Sequence, residues 1–280
     1  MCLPARDGCC RTIIISEMRW SLLAYSLFTA LLLSACSQID ESERFIYVEP
    51  SGVARAVLIE DFTGQRCINC PTAASEIERL QKEYGEENVI AVSIHSGPLA
   101  VFSNEKVKGL RTELGDTYYS HWNIESEPSG LIDRKHGIAL VPQWAGLVYE
   151  DMQQQASVGL ALACSALASG EVEIKVNSIA LKNDFRGWLQ LWVTEDNIVA
   201  PQMMPDGSMN NEYVHNHVLR AAINGAWGDE VNWTVGSETV VEYSFRPEKD
   251  WNIDNLSVVA FVYDDNGVQQ VVRSGLLPEE

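Results

Sequence analysis

Apolar positions from residue 54 onward change period several times, and each change marks an element. Ala54–Phe62 reads Ala-Arg-Ala-Val-Leu-Ile-Glu-Asp-Phe, a mostly apolar strand broken by Thr63-Gly64-Gln65-Arg66. From Thr72 to Tyr84 the period is helical, with Ala74, Ile77, Leu80 and Tyr84 on one face and Gly85 as the stop. Asn88–Ile94 is a second apolar strand. A helix between two such strands implies a parallel pair joined by a crossover. Asn104–Leu114 predicts a further helix, followed by the aromatic run Tyr118-Tyr119-Ser120-His121-Trp122. Leu131–Asp133 and Gly137–Val141 predict a hairpin, and Pro142–Gln155 a closing helix with Trp144, Leu147, Val148 and Met152 on one side.

From about Ser157 the period becomes two. Val172, Ile174 and Val176 alternate with Glu171, Glu173, Lys175 and Asn177, and Val241/Tyr243/Phe245 and Val258/Ala260/Val262 repeat the pattern. Further strands are expected at Val158–Leu167, Gly187–Thr194, Val214–Ile223, Val231–Val235 and Val268–Arg273. About eight short strands separated by Asn, Asp, Gly and Pro point to an antiparallel sandwich, with immunoglobulin-like and jelly-roll topologies both open. In Gly187–Thr194, Trp188 and Trp192 share a face opposite Leu189, Leu191 and Val193. If the aliphatic face is core, the two tryptophans form a candidate ligand platform; cover by loops or by the first half is the favoured reading. His215 and His217 share a strand face near Met203, Met204 and Met209, where packing is favoured over a soft-metal site.

The first 35 residues carry a different signal. Leu22–Leu33 is an apolar run, shorter than the roughly 20 residues of a spanning helix and preceded by Arg19. It matches the apolar region of a secretory signal. Leu33-Ser34-Ala35-Cys36 follows at once and resembles a bacterial lipobox, which implies cleavage before Cys36 and lipid on that residue. Met18 begins a signal of ordinary length and is the expected translation start. The polar, acidic stretch Ser37-Gln-Ile-Asp-Glu-Ser-Glu43 reads as a solvated tether. The expected divisions are a signal region at 1–35, a tether at 36–52, one domain at 53–156 and a second at 157–280.

Charge narrows the partners. Lys and Arg number 20 against 39 Asp and Glu, a formal charge of −19. Phosphate binding needs clustered cations, so nucleic acid is not expected. The expected attachment is to membrane, through lipid on Cys36. Of seven cysteines, Cys2, Cys9 and Cys10 fall before the cleavage point, Cys36 carries the lipid, and Cys164 lies in an apolar strand as a small hydrophobe. Cys67 and Cys70 remain.

These two lie where the first strand gives way to a helix. Unpaired N–H groups and the helix dipole stabilise a thiolate there, and the thiolate is the attacking species in exchange. Arg66 adds positive charge, and Pro71 fits the first helical turn. A redox-active dithiol is therefore the leading reading. A structural disulfide is weaker, because so short a loop removes little unfolded-state entropy. Zinc is weaker still, because His95, His121 and His136 lack ligand spacing and there is no second Cys pair. No metal and no cofactor is expected.

The segment Leu58-Ile59-Glu60-Asp61-Phe62 followed by Cys67-Ile68-Asn69-Cys70 resembles the thioredoxin superfamily. That resemblance implies Cys67 as attacking thiol, Cys70 as resolving thiol, Asp61 as proton acceptor and Pro128 as the cis-proline facing the pair. Arg66 departs from the pattern, since an aromatic residue usually precedes the first cysteine. The implied fold is an α/β thioredoxin-like domain followed by an all-β immunoglobulin-like or jelly-roll sandwich. The order of lipoprotein signal, Cys pair and strand Val214-His215-Asn216-His217-Val218-Leu219-Arg220 is similar to the outer membrane protein 28-related lipoproteins of Bacteroidetes. That similarity implies the outer membrane, facing periplasm or cell surface. Two functions remain open: a thiol–disulfide oxidoreductase with a protein thiol client or redox partner, and a non-catalytic binding or assembly lipoprotein whose sandwich contacts a glycan, peptide or membrane protein.

Overall fold

The computed structural model describes residues 54–276. The signal region, Cys36 and the acidic tether lie outside the described residues.

The crossover unit forms as the period predicts. Strands β1 (Val57–Thr63) and β2 (Val89–His95) pair in parallel, with Val57 opposite Val89 and Thr63 opposite His95. Helix α1 (Cys70–Tyr84) connects them. Strand β3 (Ser129–Ile132) runs antiparallel to β1 and pairs with the short β4 (Ile138–Ala139). Helix α3 (Val141–Met152) follows β4, and α2 (Glu113–His121) precedes β3. Both faces of β1 and β2 are covered, which is why these strands are apolar without alternation. Val57, Ile59 and Ala91 meet Ile77, Leu80, Trp144 and Val148 on one side. Leu58, Phe62, Val92 and Ile94 meet Tyr118, Trp192 and Phe261 on the other.

The remaining strands are β5 (Val158–Ala166), β6 (Val172–Ala180), β7 (Phe185–Glu195), β8 (Ile198–Met203), β9 (Met209–His215), β10 (Val218–Ala222), β11 (Asp229–Trp233), β12 (Glu238–Phe245), β13 (Leu256–Asp264) and β14 (Gly267–Gly275). Nine strands form one mixed sheet in the order β14-β13-β7-β10-β2-β1-β3-β4, with β11 also paired to β7. A three-stranded sheet, β12-β6-β5, covers one side of β7 and β13 across Val172, Ile174, Leu189, Leu191, Val258 and Val262. Strands β8 and β9 form a separate two-stranded hairpin.

The expected α/β thioredoxin-like domain followed by a sandwich is therefore corrected. Strand accounts for 44% of the structure and helix for 17%, and the large sheet runs unbroken through both halves. The physical cause is β10, which pairs in parallel with β2 at Val218–Ser93 and antiparallel with β7. An edge that β2 would otherwise expose is thereby closed by the C-terminal half.

Two buried ion pairs stitch the same junction. Glu60 of β1 meets Arg134 at 2.6 Å, and Arg55 meets Asp133 at 2.6 Å. Arg55 also donates to the Val268 carbonyl at 2.6 Å, and Asp133 accepts from Leu58 N at 2.8 Å.

Two local expectations also change. Residues 104–112 are not helical; Asn104 accepts from the N–H groups of Lys106 and Val107 in a turn, a competing use of an Asn side chain. The helix begins later, where Thr112 accepts from Gly115 N as its cap. Trp192 is fully buried, against Tyr118 and Phe261, and Trp188 stacks on Tyr263 at 5.4 Å. Trp192 is thus not part of an external platform, because Tyr118 of α2 and the 224–228 loop pack over it, and Trp188 is half-buried.

Candidate functional site around the Cys67–Cys70 disulfide

Cys67 and Cys70 form a disulfide, with Cys70 opening α1 and Cys67 just ahead of it. Pro71 occupies the first turn, where a missing N–H costs least. The Glu127–Pro128 bond is cis and leads into β3, beside β1. Asp61 stands on β1 between Ser93 of β2 and Gly130 of β3. The structure thus assembles the elements that carry all four predicted residues, Cys67, Cys70, Asp61 and Pro128.

Asp61 is fully enclosed, and its Oδ1 has no hydrogen-bond partner. Burial, reinforced by the charge of Glu127, pushes its pKa up to about 8. Glu127 is itself held up at about 7, chiefly by burial, with Asp116 adding to the rise against the opposing charge of Arg111. A protonated carboxylic acid is a stable state for Asp61 at neutral pH.

The sulfurs are covered. Cys67 is 2% exposed and Cys70 3%. Strands β8–β9, whose hairpin the sequence reading does not single out, pack against the loop that leads into Cys67. Gln202 on β8 donates from Nε2 to the Cys67 carbonyl at 2.9 Å and to the Gly64 carbonyl at 3.4 Å. Met203 N donates to Gln65 O at 2.8 Å, and Gln65 Nε2 returns a bond to Pro201 O at 3.0 Å. The other side of the same loop is clamped by residues 96–112: Arg66 N donates to Leu99 O, and Leu110 N to Gln65 Oε1. Gly64 permits this approach, since a Cβ there would lie 2.5 Å from the Leu99 carbonyl carbon. Arg66 itself points to solvent and is exposed. One sequence signal for the hairpin did exist: Pro205-Asp206-Gly207-Ser208 between two runs of extended character.

Beside the bridge lies a cavity of about 50 Å³, lined among others by Asp61, Cys70, Glu78, His95, Tyr213 and His215. It has room for a few water molecules. His95 is 3% exposed and His215 6%. Their rings meet edge-on, 5.2 Å apart, and Tyr213 lies 4.8 Å from His215. Burial holds the His95 pKa well below its ordinary value, with His215 as a secondary cause, and burial lowers His215 to about 4. Both imidazoles are therefore neutral at pH 7. His215 and His217 do not share a strand face: the chain turns at His217, whose φ is 58°, and β10 begins after it. His217 instead contacts Asp196 at 3.1 Å and Gln81 at 3.2 Å. Cys164, on β5, is a half-buried free thiol whose pKa burial pushes up to about 11.

Among the described residues, no group of three or more His, Cys, Asp or Glu converges as a ready metal-binding set, and no helix is long and apolar enough to cross a membrane.

Residues 115–279 match the sequence profile of the family described as Outer membrane protein Omp28. Comparison with curated proteins gives no match. Among solved structures, HBP35 of Porphyromonas gingivalis aligns with 17% identity and a TM-score of 0.59, covering 80% of this chain and 76% of its own. This likeness shows a shared fold. A domain of the outer membrane lipoprotein Omp28 from the same organism aligns at 24% identity over 45% of this chain and 92% of its own, with a TM-score of 0.32.

Proposed function

Because the chain belongs to the Omp28 family of outer membrane proteins, we propose that it is a non-catalytic binding or assembly lipoprotein, anchored through lipid on Cys36, in which Cys67–Cys70 is a sealed crosslink. One observation carries this reading: both cysteines are almost fully buried, in a loop whose main chain Gln202 of the β8–β9 hairpin holds. Thiol–disulfide exchange needs in-line approach to a sulfur, and access limits its rate. A buried bridge in a loop held by main-chain hydrogen bonds resists that approach. Its role is to tie the start of α1 to the loop on which the hairpin rests.

Thiol–disulfide exchange is the second reading, and Asp61 favours it. A buried acid with a raised pKa and a free oxygen is suited to holding a proton for Cys70. In that reading a partner protein dithiol first reduces the Cys67–Cys70 bridge and is itself oxidised to a disulfide; the Cys67 thiolate then attacks a client disulfide and releases one client thiolate. Cys70, deprotonated by Asp61, then attacks the Cys67 sulfur, re-forms the bridge and releases the second client thiolate. The client is reduced and the protein oxidised. Pro128 would line the client strand, and the partner would be a protein thiol.

Mixed-disulfide trapping with Cys70→Ala in living cells separates the two. The expected result is no captured client whose capture depends on Cys67, together with slow reduction of the wild-type bridge by dithiothreitol that quickens in Gln202→Ala. A client captured by Cys70→Ala and lost in the variant that also carries Cys67→Ala would establish exchange instead.

A further inference from the structure

We propose that His95 and His215 form a two-imidazole binding site for a divalent transition-metal ion. The two residues end strands β2 and β9, and folding of the β8–β9 hairpin brings them together. Each ring carries a buried nitrogen without a partner: Nδ1 of His95 and Nε2 of His215. Buried polar atoms in native proteins are almost always satisfied, and both residues line the cavity beside the disulfide, whose volume admits water or an ion.

A neutral imidazole carries one N–H and one lone pair, and the lone-pair nitrogen is the one that binds a metal ion. The spacing of the two rings fits such a role. Two imidazoles on one tetrahedral ion, at metal–nitrogen distances of about 2.0–2.1 Å, place their ring centres about 5 Å apart; the observed separation is 5.2 Å.

Borderline cations such as Zn²⁺ and Cu²⁺ are the class that imidazole nitrogen selects. With two protein ligands, the other positions of the ion are left to solvent or to a donor group entering from the cleft. The site therefore suits an exchangeable ion.

Zn²⁺ titration of the chelator-treated full chain tests the assignment. One ion per chain is expected, with affinity reduced at least about tenfold in His95→Gln and in His215→Gln and unchanged in His121→Gln and His136→Gln. Zn²⁺ held elsewhere, for example on N-terminal cysteines, shows as binding unchanged in the first two variants and overturns the proposal; so does absence of binding. Should the buried variants fail to fold, Cu²⁺ electron paramagnetic resonance of the wild-type chain decides. Nitrogen coupling from two imidazoles supports the site, and a spectrum without such coupling overturns it.

Discussion

Removing one partner of the Glu60–Arg134 pair is the sharpest test of how the halves are joined. Arg134 Nε donates to Glu60 Oε1 at 2.6 Å and Nη2 to Oε2 at 3.1 Å, a two-pronged contact with side chains 3% and 0% exposed. Its guanidinium also lies over Tyr263, Phe261, Trp192 and Trp122, at 4.7, 5.0, 5.6 and 5.8 Å from the ring centres. The pair thus connects β1 and the β3–β4 turn to rings on β7 and β13. Glu60→Gln leaves a guanidinium buried without its counter-charge, and Arg134→Met leaves a carboxylate. Either loss is expected to cost about 3–5 kcal/mol. At about 2–4 °C per kcal/mol for a unit of this size, Tm falls by roughly 6–20 °C. The variant with both substitutions removes both charges, and is expected to recover to within about 2 kcal/mol of the wild type.

Urea unfolding followed by far-ultraviolet circular dichroism and tryptophan fluorescence measures these values. Because the pair sits at the junction, both probes should report one transition that shifts as a whole, with unchanged m-value. The reasoning is refuted if the single variants cost under about 1 kcal/mol, or if their costs simply add in the double variant. A fluorescence transition that moves while the dichroism transition stays would show that the halves unfold separately.

Two other expectations follow from buried contacts. Asp61 has a folded pKa of about 8 against about 3.9 when unfolded; the native state therefore holds a proton that the unfolded chain has released, and stability falls as pH rises between those values. Asp61→Asn should flatten urea midpoints measured from pH 5 to 9, gaining on the wild type by up to about 1.4 kcal/mol per pH unit through that window; parallel curves would count against the assignment. Gly130→Ala would set a Cβ 2.6 Å from Cζ2 of the fully buried Trp144, an overpacking expected to cost about 1–3 kcal/mol; a calorimetric Tm equal to that of the wild type would contradict it.

Local features were legible in the sequence, and long-range pairings were not. Periodicity located β1, α1 and β2 because each buries a continuous or helical face, and the residues around Pro128 announced the turn into β3. Alternation along β7 correctly separated Trp188 and Trp192 from Leu189, Leu191 and Val193. Cover over the tryptophan face was the favoured reading, but the elements that supply it were not legible: Tyr118 of α2 and the 224–228 loop pack on the side of Trp192, and the β12-β6-β5 sheet packs on the other, so alternation distinguishes two cores rather than inside from outside. The Asn104–Leu114 segment had helical spacing, yet its backbone is committed elsewhere, with Arg111 N bonded to Val101 O and Leu110 N to Gln65. The crossover unit suggested a self-contained domain because nothing in its own residues reveals that Val218 pairs with Ser93.

The Cys pair shows why that distinction governs function as well as fold. Spacing, the helix start, Pro71 and Asp61 are all local and all consistent with a reactive dithiol. Whether a sulfur can be attacked depends on access, and the loop that leads into Cys67 is held by Gln202, which lies 135 residues further along the chain. The same hairpin carries His215 to His95, so a single inserted element both restrains one chemistry and assembles the ingredients of another. A residue motif therefore constrains what this site is able to do, while the strand partners of distant segments decide which of those capacities is open. Removing the Gln202 amide changes the first without touching either histidine, which makes the accessibility of the bridge and the occupancy of the imidazole pair separable by experiment.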